Sequence, residues 1–183
     1  QFNSTWSDIE QPGSSQKLDA IPGAFMYRAQ FTEWGSHNTV MLNHTVDVDA
    51  TNHAGIRWYE LRETSGVWSI HQESTFAPDA ESRFIGSISM DYQGNIGLAY
   101  VISGPTVFPS LRYTGRYAFD PLNQMTLAEE TIIVGSGTQS GGNRFGDYSH
   151  LSVDPDDDAT FWYTCEYVSG GSRTTRVASF KLA

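Results

Sequence analysis

Two stretches of this chain repeat each other. Ser87-Ile88-Ser89-Met90-Asp91, Tyr92-Gln93-Gly94-Asn95 and Ile96-Gly97-Leu98-Ala99-Tyr100 form the first. His150-Leu151-Ser152-Val153-Asp154, Pro155-Asp156-Asp157-Asp158 and Ala159-Thr160-Phe161-Trp162-Tyr163 match it about 63 residues later. Each reads as a strand closed by an aspartate, a four-residue turn and a second strand. Self-similarity at roughly this period is expected of the blades of a β-propeller.

The rest of the chain fits the same unit. Helical periodicity is nearly absent, and 121–126 reads as a turn. Apolar-aromatic runs at 83–91, 96–102, 111–119 and 129–135 give one four-stranded blade. Those at 148–154, 160–167 and 174–182 give three strands of the next. A more diverged blade precedes them, with strands at 25–31, 39–48, 55–62 and 68–76. The expected fold is therefore all-β: three antiparallel units, with blades at about 18–77, 82–136 and 144–183, in a single segment covering 1–183. Ser4-Thr5-Trp6-Ser7-Asp8-Ile9 is similar to Gly66-Val67-Trp68-Ser69-Ile70-His71, so an outer strand near 4–10 is expected to complete the last blade. Three blades are too few for a ring, which takes roughly four or more. The chain is thus expected to be half of a six-bladed ring made with another copy, or part of a longer propeller.

Composition suits this. The 183 residues are 13% aromatic and 17% charged, with 17 glycines, a mix for short strands and tight turns. The formal net charge of −10 disfavours nucleic acid, whose phosphates need a basic surface. No apolar run approaches the roughly 18 residues of a membrane span. The chain starts at Gln1 with neither an initiator Met nor a signal peptide, as expected of a processed or excerpted piece. Cys165 is the single cysteine, so an internal disulfide is impossible, and its place within a strand predicts a small buried apolar role. Asn3-Ser4-Thr5 and Asn43-His44-Thr45 fit the glycosylation acceptor pattern. With few lysines and abundant Ser, Thr, Gly and Asn, the composition points to an extracellular or cell-surface location.

Ser89-x-Asp91-x-x-Gly94-Asn95 and its repeat Ser152-x-Asp154 resemble the Asp-box turn of sialidase-like propellers. Arg144-Phe145-Gly146-Asp147-Tyr148-Ser149 resembles the Gly-Asp-Tyr segment that opens inner strands in secreted bacterial members. Asn43 to Asp47, Gly55 to Leu61 and Arg112 to Arg116 are similar to uncharacterised secreted bacterial proteins of that kind. The resemblance implies that Asp91 and Asp154 are folding elements whose carboxylates satisfy turn N–H groups.

Ligands of propellers sit where inner strands begin. Arg83 and Arg144 stand at neighbouring blade entrances, and Arg presents a planar fork that matches carboxylates. With Asp147 and Tyr148 they form the candidate ligand site, suited to an acidic sugar. The competing reading ties each Arg to a nearby Asp or Glu between blades. Hydrolysis of a glycoside needs two carboxyl groups, or one with an unconventional nucleophile. The candidates are Asp47, Asp147, Glu60 and Glu166, with Tyr148 or Tyr163. Asp154, Asp156 and Asp158 have the alternate-oxygen spacing of a calcium loop, but the downstream Gly and bidentate Glu are missing. No other cofactor is expected, and no His-x-x-x-His spacing supports zinc. The sequence reads best as a binding module for a glycan or other surface ligand. A sialidase-like hydrolase completed by missing blades is the alternative, and a purely structural, self-assembling surface protein is a third reading.

Overall fold

The computed structural model describes residues 1–2 and 7–182, and among them it contains thirteen strands and no helix. A short hairpin, β1 (Ile9–Gln11) and β2 (Ser14–Leu18), comes first. Three antiparallel sheets follow. The first is β3 (Gln30–Glu33), β4 (Asn38–Asp47), β5 (Ala54–Thr64) and β6 (Val67–Phe76), in that order. The second is β7 (Ser82–Met90), β8 (Ile96–Ser103), β9 (Ser110–Arg116) and β10 (Glu130–Ile133), again in sequence order. The third has three strands, β11 (His150–Val153), β12 (Phe161–Ser169) and β13 (Ser172–Phe180). Each is a meander, and none closes on itself.

Local chemistry sets the turns. Ser65-Gly66 joins β5 to β6 and Gly170-Gly171 joins β12 to β13, with positive φ at both positions of each pair. That is the type I′ hairpin, whose twist matches the flanking strands. The repeated aspartates lock their turns, as expected. Asp91 Oδ1 accepts the N–H groups of Gln93 and Asn95 at 2.9 Å each. Asp154 Oδ1 accepts Asp156 N–H at 2.9 Å. The second turn is longer than expected, because β12 starts only at Phe161. Asp157 absorbs the extra length by accepting the N–H groups of Ala159 and Thr160.

The second sheet is the middle layer. Every residue of β7 and β8 is buried. Met41, Ile56 and Trp58 of the first sheet pack on one face, with Ile88, Leu98 and Tyr100. Phe161, Tyr163, Cys165 and the hairpin residues Ile9 and Leu18 pack with Phe84, Ala99 and Val101 in the other cluster. Two glycines permit the close approach. A Cβ on Gly86 would lie 2.7 Å from Asn43 Oδ1, and one on Gly97 would lie 3.0 Å from the Phe161 ring. Cys165 is buried, which pushes its thiol up to about 12.

The free edge of β7 is met by side chains rather than by another strand. Gln30 Oε1 accepts Met90 N–H at 2.6 Å and its Nε2 donates to Met90 O at 3.0 Å. Ser149 Oγ donates to Ile85 O at 3.0 Å, and Leu151 N–H donates to Ser87 Oγ at 2.8 Å. Ser89 Oγ donates to Leu151 O at 3.0 Å. The serines of the repeat thus lace β7 to β11 and leave no buried edge group stranded at those positions.

Two expectations need correction. Ile9–Gln11 pairs with β2, not with β13, because Pro12-Gly13 turns the chain back on itself; Gly13 takes φ 64°. Trp6 itself lies outside the described residues. Segment 25–29 is a loop rather than the start of a strand: Phe25 packs edge-on against His44 and Tyr59, 5.2 and 5.8 Å between centroids. Of the glycosylation tripeptides, Asn3-Ser4-Thr5 lies outside the described residues. Asn43 is buried against β7, where a glycan has no room.

The outer faces of the layered stack differ. Along β4, Thr39, Met41, Asn43 and Thr45 turn inward, so Val40, Leu42 and Val46 turn out. Phe31, Trp68 and Ile70 are exposed and, by register, share that outward face. The outward face of the third sheet carries Ser152, Trp162, Thr164, Val177 and Ser179, and is more polar.

Candidate functional site

Arg83 is not at an open mouth. It is 0% exposed, and all five of its N–H groups are used. Nε and Nη2 donate to Glu129 at 3.0 and 2.6 Å, Nη1 and Nη2 donate to Asp79, and Nη1 also donates to Glu81 O at 2.7 Å. Glu129 further accepts the Tyr100 hydroxyl at 2.7 Å and has Arg112 at 3.6 Å. Burial works against the Arg83 charge, but its hydrogen bonds to the carboxylates of Asp79 and Glu129 outweigh it and raise the pKa. The hydrogen bond from Arg83 in turn holds the Asp79 pKa down at about 2. Arg83 is a tie across the second sheet, with no donor left for a ligand.

Arg144 is 58% exposed and pairs with Asp147 through Nε and Nη2. The hydrogen bond and charge of Asp147 raise its pKa. Its carboxylate partner is Asp147, whereas those of Arg83 are Asp79 and Glu129, so the two arginines do not converge as a fork for one carboxylate.

Tyr148 is 80% exposed and lies at the mouth of an open, largely apolar cleft of about 390 Å³. Tyr27, Ser149, His150 and Thr164 complete its walls. Tyr27 stands edge-on to His150, 5.7 Å between centroids. Burial, and then the charge of Arg28, lowers the His150 pKa, so the ring is neutral near pH 7. Its Nε2 is buried without a hydrogen-bond partner. Of the expected ligand residues, Tyr148 lines this cleft. Tyr27 was missed, because it sits in a segment read as a strand.

The proposed acids and nucleophiles are scattered. Glu166 accepts Gly146 N–H at 3.1 Å. Tyr163 is buried in the core, where burial, followed by its neighbour Cys165, raises its pKa well above the usual phenol value. The Asp47 side chain is buried and its Oδ2 pairs with the amino group of Gln1 at 3.4 Å. Glu60 lines a different cleft, between the first and second sheets. Neither cleft holds two carboxylates.

Among the described residues, no group of three His, Cys, Asp or Glu is arranged to hold a metal ion. The expected calcium ligands Asp154, Asp156 and Asp158 follow this pattern. Asp154 spends one oxygen on Asp156 N–H and the other on Trp162 Nε1–H at 2.8 Å. No helix of the described residues is long and apolar enough to cross a membrane.

No protein-family profile, curated protein or solved structure matches this chain.

Proposed function

We propose that this chain is an extracellular glycan-binding module, built as an arc of sialidase-like β-propeller blades, with Tyr148 and Tyr27 as its sugar platform. The observation that carries the reading is the exposure of two tyrosines around a cleft with an unpartnered imidazole nitrogen. Aromatic faces stack on the C–H faces of sugar rings, and a hydroxyl or imidazole beside them supplies hydrogen bonds. Arg144 and Asp147 neutralise each other, so the platform suits a neutral sugar better than the acidic one expected from sequence.

The arc reading is supported by β7 and β11. Both open their sheets, both end in an aspartate-locked turn, and serine hydroxyls link them side by side. The outward apolar face of the first sheet supports pairing with another copy or with further blades of a longer precursor. The hydrolase alternative lacks support, since glycoside hydrolysis takes two carboxyl groups across one bond and neither cleft has them.

A glycan microarray probed with the wild-type chain and with Tyr148→Ala tests the proposal. The expected result is binding to a defined glycan set that falls by about tenfold in the variant, with an unchanged melting temperature. Absence of binding, or equal binding by both proteins, overturns it.

A further inference from the structure

A second cleft, sharing no residue with the tyrosine platform, opens where the first and second sheets meet. Its volume is about 170 Å³. That is smaller than typical drug-sized pockets of roughly 300 Å³ or more, and suits one ring or a short chain.

Its walls carry an unbalanced charge. Arg116, at the end of β9, is 1% exposed. One of its nitrogens, Nη2, donates to the carbonyls of Asp120 and Pro121, at 2.5 and 3.3 Å, while its Nε is buried with no hydrogen-bond partner. The Asp120 carboxylate turns away, accepting Tyr117 N–H at 2.8 Å and the Thr126 hydroxyl. Burial lowers the Arg116 pKa, and the charges of Asp120 and Glu60 only partly oppose this. Glu60 is itself 1% exposed and accepts Arg62 Nε–H at 2.6 Å and Gln72 Nε2–H at 2.5 Å. Among the described residues, the other nitrogens of Arg62 have no hydrogen-bond partner, and its side chain reaches solvent. Burial, then Arg62, lowers the His71 pKa, so this ring adds no charge near pH 7. Two guanidiniums thus face one carboxylate, in a chain whose net charge is −10.

A ring platform stands beside them. Trp34 stacks with His37, 6.2 Å between centroids and 14° between planes. Thr39 Oγ1 accepts the indole N–H at 3.0 Å and fixes its orientation.

We propose that this cleft binds a small organic carboxylate, with Arg62 as the fork that holds it, Arg116 as the buried charge behind, and Trp34 against the ligand body. A carboxylate matches the planar guanidinium in two parallel hydrogen bonds, which a neutral ligand cannot reproduce. A sugar acid and a simple hydroxy acid share this chemistry.

Calorimetric titration of the full chain with glucuronate, lactate, glucose and phosphate tests the proposal. Glucuronate is expected to bind at least about tenfold more tightly than glucose, as for a charge-assisted contact. Lactate equal to glucuronate assigns the site to the carboxylate alone, and glucuronate well above lactate adds the ring to what is recognised. Arg62→Gln is expected to weaken glucuronate about tenfold or more. Because Arg62→Gln also removes a partner of buried Glu60, Ala118→Phe serves as the second variant. Ala118 is an exposed lining residue, so the larger ring blocks the cleft without entering the core. It is expected to abolish binding, whereas Arg173→Ala, on exposed β13, leaves it unchanged. Glucose binding as tightly as glucuronate, phosphate binding more tightly than either acid, or wild-type affinity in Ala118→Phe overturns the proposal.

Discussion

Replacing Arg83 with Ala should destabilise the fold without touching the tyrosine platform. The substitution removes five hydrogen bonds and strands Glu129, whose side chain is 14% exposed. Removing one partner of a buried ion pair typically costs about 3–5 kcal/mol, chiefly because the other charge stays buried. Two features reduce the cost here. Asp79 is 51% exposed and can rehydrate, and Glu129 keeps the Tyr100 hydroxyl and Arg112. We therefore expect a loss of about 3 kcal/mol. For a chain of 183 residues that lowers Tm by about 6–12 °C. Circular-dichroism melts of three variants separate the contributions. Arg83→Met keeps most of the packing and loses the charge. Arg83→Ala with Glu129→Gln removes the stranded carboxylate and should recover about 1–2 kcal/mol relative to Arg83→Ala alone. A Tm for Arg83→Ala within about 2 °C of wild type, or a double variant no more stable than the single one, would refute this reasoning.

Three further outcomes are expected. Asp79 has its pKa depressed to about 2 by Arg83, against about 3.9 unfolded, so its stabilisation is present above pH about 3.9 and disappears as pH falls towards 2; acid titration of Tm should therefore be shallower in Asp79→Asn, and identical slopes count against the pairing. Gly97→Ala drives a Cβ to 3.0 Å from the Phe161 ring and should cost about 1–3 kcal/mol in urea unfolding, and a neutral change would mean that the second and third sheets are not in close contact there. Light scattering of the isolated chain should show self-association through the face bearing Phe31, Trp68 and Ile70, reduced by Ile70→Lys; a monodisperse monomer contradicts the arc reading.

Much of the fold was legible because its signals are local. Strand-turn-strand with a closing aspartate needs only period-two alternation and Asx chemistry, and β7–β8 and β11–β12 appear where the repeat puts them. The β1–β2 hairpin was missed although Pro12-Gly13 is a turn signal. Its second strand, Ser14-Ser15-Gln16-Lys17-Leu18, is polar and buries little besides Leu18. Arg83 and Arg144 do not converge for a reason of register. A shift of about 63 carries Arg83 to Gly146, not to Arg144. Arg83 also lies in the middle layer, covered on both faces, whereas Arg144 lies in an open loop ahead of β11. Equal positions in a repeat do not give equal solvent exposure when the layers differ in their neighbours. The inter-sheet cleft was invisible because Glu60 and Arg62, two residues apart on β5, meet Trp34 from the β3–β4 turn and Arg116 from the end of β9, at no common spacing.

The most direct test of the glycan-binding account is an NMR titration of the labelled chain with the strongest array glycan. The account predicts amide and ring shifts concentrated at Tyr27, Tyr148, Ser149, His150 and Thr164. Shifts confined to other surfaces, or none at a saturating glycan concentration, would contradict it.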